Sequence, residues 1–211
     1  MRKFLLSQHF LRSPRLALFL IGHSNIKKRD LVLEIGAGSG VITSALAKRA
    51  KKVLAFEPDA ETAKKLRENL AKREIKNVEI FEQDFLEFDL DSLDETYKVF
   101  SNPPFSISSK IIHKFLETKN PPKSFYLILQ KQFALKLLNT DRHYTSQLGH
   151  ELIKKYQTKI KYPLKREDFT PPPAVPTVLF EAKEVPEFYK PAANISLIVS
   201  KSQVGSKPEV S

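Results

Sequence analysis

Asn102, Pro103, Pro104 and Phe105 follow directly on the apolar run Lys98-Val-Phe-Ser101. A strand ending in this tetrapeptide places an amide, two fixed backbone carbonyls and an aromatic ring at one edge of a sheet. Proline exposes a carbonyl and has no N–H, and the asparagine side chain carries an acceptor oxygen, so the edge is rich in acceptors. Such groups can grip a planar base by its exocyclic amino group. Gly36, Gly38 and Gly40 form a second cluster, G-x-G-x-G, whose spacing lets backbone approach a ligand at a helix N-terminus. Position 41 is Val, so the dinucleotide fingerprint is not met. Glu57 follows some 20 positions later, where an acid accepts hydrogen bonds from ribose hydroxyls in nucleoside-binding sheets. Asp84 is placed to accept from an adenine amino group, with Phe85 beside the ring.

These residues point to a nucleoside cofactor, either a nicotinamide dinucleotide or S-adenosylmethionine. The incomplete glycine fingerprint disfavours the first and the Asn-Pro-Pro-Phe tetrad favours the second. Methyl transfer from a sulfonium is an in-line displacement that needs positioning more than acid–base machinery. Acceptors at Asn102 and the Pro103 carbonyl would hold both protons of an adenine amino group and free its lone pair, while Phe105 stacks on the base.

The elements that must carry these residues alternate. Strands are expected at Leu31–Ile35, Val53–Phe56, Val78–Phe81, Tyr97–Ser101 and Ser124–Leu129, and helices at 14–22, 41–50, 60–72, 107–117 and 132–138. This alternation implies a parallel sheet covered on both faces, with ligands beyond the carboxyl ends of its strands. The glycine loop, Glu57, Asp84 and Asn102 each follow a strand and therefore share one rim. A helix over 145–154 and late strands at 156–162 and 177–181 suggest an antiparallel edge, joined by the proline-rich crossing Phe169-Thr-Pro-Pro-Pro-Ala-Val175.

The 211-residue chain accommodates one domain with an appendage, and its 41% hydrophobic and 28% charged residues are those of an ordinary globular protein. No apolar run reaches the roughly 20 residues that span a bilayer. The apolar stretch Leu16–Ile21 is too short for a secretory signal and lacks a small-residue cleavage site. With no cysteine, disulfides and thiolate metal sites are excluded, and the five histidines show no ligand spacing. No metal is expected. The net charge of +11 attracts polyanions, and it is segregated: residues 1–29 hold no acid, and Lys154, Lys155, Lys159, Lys161, Lys165 and Arg166 gather late in the chain.

Gln8-His-Phe-Leu11, Glu34-Ile-Gly-Ala-Gly-Ser-Gly40, Glu57, Gln83-Asp84, Asn102-Pro-Pro-Phe105 and Phe169–Val175, in this order, resemble the rRNA adenine N6-methyltransferases. Lys98–Ser109 and Phe133–Thr140 make the resemblance closest to the erythromycin-resistance (Erm) branch. The resemblance implies an α/β, Rossmann-like class I S-adenosylmethionine-dependent methyltransferase with a seven-stranded, mostly parallel sheet. It assigns cofactor contacts to His9, Leu11, Gly36, Glu57, Asp84 and Asn102, with Gln8 alongside; the residues themselves add Gly38 and Phe85 to the cofactor set and make Asn102, Pro103 and Phe105 the catalytic set. Family members usually carry Asn where this chain has His9 and an aliphatic residue where it has Pro103, and Asn-Pro-Pro-Phe also occurs in DNA adenine methyltransferases.

The expected activity is N6-methylation of an unpaired adenine in rRNA, with large-subunit 23S rRNA and macrolide resistance as the leading expectation. A small-subunit dimethyladenosine transferase, a DNA adenine methyltransferase and a non-catalytic assembly factor are the alternatives. The expected protein is a cytoplasmic monomer that binds rRNA and no membrane. Residues 1–182 form its methyltransferase domain with a basic N-terminal arm, and 183–211 form a short, poorly ordered tail in place of a helical C-terminal domain. RNA affinity then rests on the arm and the Lys154–Arg166 segment, or on a partner.

Overall fold

The computed structural model describes residues 9–138 and 144–185. Its elements in chain order are β1 (Phe10–Leu11), α1 (Pro14–Gly22), β2 (Leu31–Ile35), α2 (Val41–Ala47), β3 (Lys52–Phe56), α3 (Ala60–Ala71), β4 (Val78–Phe81), β5 (Tyr97–Ser101), α4 (Ser108–Glu117), β6 (Ser124–Gln130), α5 (Lys131–Leu135), α6 (Gln147–Ile153), β7 (Tyr156–Leu164), β8 (Phe169–Thr170) and β9 (Thr177–Glu184). Seven strands form one sheet in the order β4-β3-β2-β5-β6-β9-β7. The five strands from β4 to β6 run parallel, and β9 pairs antiparallel with both β6 and β7. The expected fold class therefore holds, with β9 running against the other strands of the sheet and β7, in the direction of β6, at the edge beside it.

Period-two alternation sorts the side chains of each strand between two cores. Leu33, Phe56, Val99, Phe125, Leu127 and Phe180 pack under α4 and α6 with Ile111, Phe115 and Leu152. Val32, Val53, Phe100, Tyr126, Ile128 and Leu179 pack on the opposite face against Leu20 and Ile21 of α1 and Leu46 of α2. Central strands are buried on both faces, which is why β6 reads as an apolar run over 125–129 and β2 as one interrupted only by Glu34.

Several boundaries differ from expectation for local reasons. Helix α2 stops at Ala47 because the N–H groups of Arg49 and Ala50 both turn back to Leu46 O. The helix expected from Thr145 begins only after Ser146, whose Oγ accepts from Gly149 N at 3.1 Å. Strand β9 continues to Glu184, whose N–H donates to Lys123 O, so the sheet takes in two residues expected in the tail. The tail beyond Val185 lies outside the described residues, as do Gln8 and positions 139–143.

A two-stranded ribbon was not expected. Phe10 pairs with Thr170 and Leu11 with Phe169, joining the N-terminal arm to the proline-rich crossing. Leu11 and Phe169 are 4% and 1% exposed, so this ribbon is fastened into the α1 core. Among the described residues, no helix is long and apolar enough to cross a membrane.

Candidate functional site

Strand β2 delivers the glycine loop to the carboxyl rim, and β3 ties it down. The N–H groups of Gly36 and Ala37 both donate to Phe56 O, at 2.8 and 3.1 Å. Gly38 N donates to Glu57 Oε2 at 2.9 Å. Gly40 begins α2 with φ +91°, and a Cβ there would come within 2.5 Å of Leu66 Cδ1. Gly38, at φ +55°, lies under the Phe10 ring, with 2.8 Å left between a Cβ and Phe10 Cε1. Both positions combine left-handed backbone with a close neighbour, and that combination excludes a side chain.

Glu57 is 2% exposed and braces the loop: Oε2 accepts from Gly38 N, and Oε1 from Asp59 N at 3.2 Å. Burial pushes its carboxyl above the ordinary range, and the two backbone donors pull it back. Each oxygen keeps a lone pair, so bracing and accepting a hydroxyl are compatible. Glu34, the last-but-one residue of β2, is 1% exposed, and its Oε2 has no hydrogen-bond partner. Burial pushes its carboxyl up to about 8 against the opposing pull of Thr43, with the charge of Glu57 adding to the rise. Sequence reading treated Glu34 only as part of the loop motif. An acid inside a buried strand was the signal that could have singled it out.

Asp84 and Phe85 part company. Asp84 Oδ1 accepts from Leu86 N at 2.9 Å and caps a 3-10 turn over Phe85–Glu87. Its second oxygen stays on the rim. The turn swings Phe85 inward, to 1% exposure, where its ring meets Phe56 and Phe115 edge-on at 5.2 and 5.9 Å. The expectation that Phe85 lies beside a bound ring is corrected: it is a core residue whose direction is dictated by the cap.

Asn102 ends β5 with its amide held in one orientation. Nδ2 donates to His9 O at 2.5 Å. A carbonyl can only accept, so the NH₂ group faces His9 and Oδ1 faces the other way. The Pro104 carbonyl is taken by Ile107 N at 3.1 Å, whereas that of Pro103 has no partner among the described residues. Phe105, half-exposed, opens onto a cleft of about 380 Å³ lined with His9, Ser106, Gln130 and Pro173–Val175. A second, smaller cleft lies over the glycine loop between Phe10, Leu11, Glu34, Gly36, Ala37 and Asn102. Asn102 and the arm residues His9–Leu11 thus separate two clefts, one on glycine backbone and one on an aromatic ring.

The basic residues are spread out. β7 runs parallel to β6, so Lys165 and Arg166 emerge at the site rim, while Lys154 and Lys155 lie at the opposite rim, about 30 Å away along nine residues. Arg166 Nε donates to Pro173 O at 2.9 Å and supports the wall of the Phe105 cleft. Lys159 and Lys161 reach the buried Glu181 carboxylate at 3.3 and 3.7 Å. Lys155 Nζ donates to Leu116 O. Among the described residues, no group of three or more His, Asp and Glu is placed to hold a metal.

Comparison with known proteins agrees with this geometry. The sequence signature of ribosomal RNA adenine dimethylase matches residues 1–196. The chain is 34% identical over 186 residues to a probable ribosomal RNA small subunit methyltransferase A of Methanosphaera stadtmanae, covering 88% of this chain and 66% of that protein. Among solved structures it resembles a dimethyladenosine transferase from Plasmodium falciparum, with TM-score 0.75 and 27% identity over 84% of this chain and 64% of that one. It also resembles the 23S rRNA methyltransferase ErmE, with TM-score 0.73 and 26% identity over 83% and 70%. The chain spans just under two thirds of the length of the archaeal relative. An assignment nearest to the Erm branch is not supported, because the archaeal relative, at higher identity, bears the small-subunit name. With its signature matched over nearly the whole chain and its site residues gathered on one rim, this protein belongs to the ribosomal RNA adenine dimethylase family.

Proposed function

We propose that the protein transfers methyl groups from S-adenosylmethionine to N6 of an unpaired adenine in ribosomal RNA. The observation that carries this reading is the orientation of Asn102: its NH₂ is tied to His9 O, which turns Oδ1 away from the arm as an acceptor, and the carbonyl of the next residue, Pro103, has no partner among the described residues. Two acceptors on consecutive residues match the two protons of an amino group. The glycine-loop cleft, about 20 Å³ with Phe10 lying over Gly38, takes a nucleoside cofactor only when the Phe10 ring moves aside, with Gly36 backbone beneath it, lone pairs left on Glu57 and the free oxygen of Asp84 further along the rim. S-adenosylmethionine, when bound, supplies an electrophilic methyl group. Asn102 and Pro103 hold the acceptor nitrogen with its lone pair available, Phe105 stacks on the base, and the β1–β8 ribbon keeps the two clefts in register. No side chain need act as a general base.

Small-subunit rRNA is the substrate that the relatives favour, since one is named a small-subunit methyltransferase and another a dimethyladenosine transferase. The likeness to ErmE keeps large-subunit rRNA as the second reading. Mapping N6-methylated adenines in rRNA from cells with and without the protein tests the reading. One or two adenines that lose methylation without the protein support it, and their subunit decides between the two substrates. Identical maps reject it.

A further inference from the structure

We infer that His9 is a specificity-determining residue of the acceptor-base cleft and does not serve the cofactor cleft. This inference rests on the proposed function. The resemblance placed His9 among cofactor contacts, in a position where relatives usually carry Asn. Here the imidazole lines the cleft of Phe105, Ser106, Gln130 and Pro173–Val175, and it is absent from the residues around the glycine loop.

Two contacts fix the ring and a third fixes the backbone that carries it. The backbone carbonyl of His9 accepts from Asn102 Nδ2. Nδ1 lies 2.8 Å from Pro171 O, and because a carbonyl only accepts, Nδ1 carries the hydrogen. Its ring centroid is 5.4 Å from that of Phe105, with the planes inclined at 35°. A base sandwiched between two rings needs two van der Waals spacings, about 7 Å. His9 and Phe105 are too close and too tilted for that. They form one angled aromatic wall, on which a planar base stacks over Phe105 and meets the imidazole at its side.

Nε2 has no hydrogen-bond partner among the described residues. With the hydrogen held on Nδ1, Nε2 is left as an acceptor, and because Asn102 and Pro103 take both amino protons of the adenine it meets a ribose hydroxyl of the bound nucleotide. An asparagine at this position could donate from Nδ2 to Pro171 O as Nδ1 does here, but would lack the ring surface and Nε2. The ligand is an adenine nucleotide presented by single-stranded RNA, bound through ring contact and one accepted hydrogen bond.

The test compares wild type with His9→Asn and His9→Phe, neither of which removes the backbone carbonyl that orients Asn102; equal thermal midpoints confirm intact folding. Methyl transfer is measured on unmethylated small-subunit and large-subunit rRNA, cofactor affinity by calorimetry with S-adenosylhomocysteine, and base binding by fluorescence quenching of 8-vinyladenosine monophosphate, which keeps the 6-amino group. Expected are a tenfold or larger rise in KM for RNA, loss of quenching in His9→Asn with partial retention in His9→Phe, and S-adenosylhomocysteine affinity within twofold of wild type. A fall in S-adenosylhomocysteine affinity with unchanged KM and quenching overturns the inference and returns His9 to the cofactor. If wild type quenches the analogue through His9 but methylates neither rRNA, the base site stands and the proposed function falls. Absence of quenching in wild type overturns the base site.

Discussion

Asn102 shows how one hydrogen bond can decide chemistry at the residue scale. Were its amide reversed, an NH₂ would face the acceptor amino group and repel it; the His9 carbonyl prevents this. Glu34 is the residue whose cost is visible. Its carboxyl titrates at about 8 in the folded chain against a reference of 4.5, so between those values the native state holds a proton that the unfolded chain has released. Stability is therefore expected to fall as pH climbs through that window and to level off above it. Glu34→Gln keeps the neutral form at every pH, so the variant should be on the order of 2 kcal/mol more stable than wild type at pH 9 and near equal to it at pH 5, as read by urea unfolding. Parallel pH profiles would show that Glu34 is ionised at no cost. Glu57→Ala removes the brace from Gly38 N and should weaken S-adenosylhomocysteine binding about tenfold or more by calorimetry, a loss of ~1.4 kcal/mol or more. Unaltered affinity would separate Glu57 from the cofactor.

At the scale of elements, the glycine loop is the part most narrowly specified. Gly40→Ala places a Cβ 2.5 Å from Leu66 Cδ1 at φ +91°, and should lower unfolding free energy by about 1–3 kcal/mol in denaturant titration. A neutral result would mean that α3 yields easily. The same loop was legible in sequence because few residue types can turn from a buried strand into a helix within five positions. The central strands were legible for a related reason, since an unbroken apolar run such as 125–129 can only be buried on both faces. The β1–β8 ribbon was not. It has two residues per strand, too few for any periodicity, and its partners lie at opposite ends of the chain. Phe85 misled for a similar reason: its neighbour Asp84 is on the rim, but the direction of the ring follows from a cap that spacing does not reveal. Phe10 over Gly38, and His9 against Phe105, likewise became visible only once the ribbon had brought the arm to the rim.

For the molecule as a whole, the net charge of +11 gives a long-range attraction to RNA, but the fold decides where it acts. The basic stretch looked continuous in sequence, and β7 draws it out from one rim to the other. Replacing Lys165 and Arg166 with Gln should therefore weaken rRNA binding and lower the slope of log affinity against log salt by about 1–2, whereas replacing Lys154 and Lys155 should change both less. Equal effects would indicate that RNA runs the full length of β7. All of this serves one claim, that Asn102 presents acceptors to an adenine amino group opposite a methyl donor. The most direct measurement is transfer of labelled methyl from S-adenosylmethionine to unmethylated small-subunit and large-subunit rRNA, with nucleoside analysis of the product, by wild type and Asn102→Ala. Wild type should form N6-methylated adenosine, and the variant should lose on the order of 100-fold or more in rate while still binding S-adenosylhomocysteine. A variant that methylates as fast as wild type, or a wild type that labels neither RNA, would contradict the account.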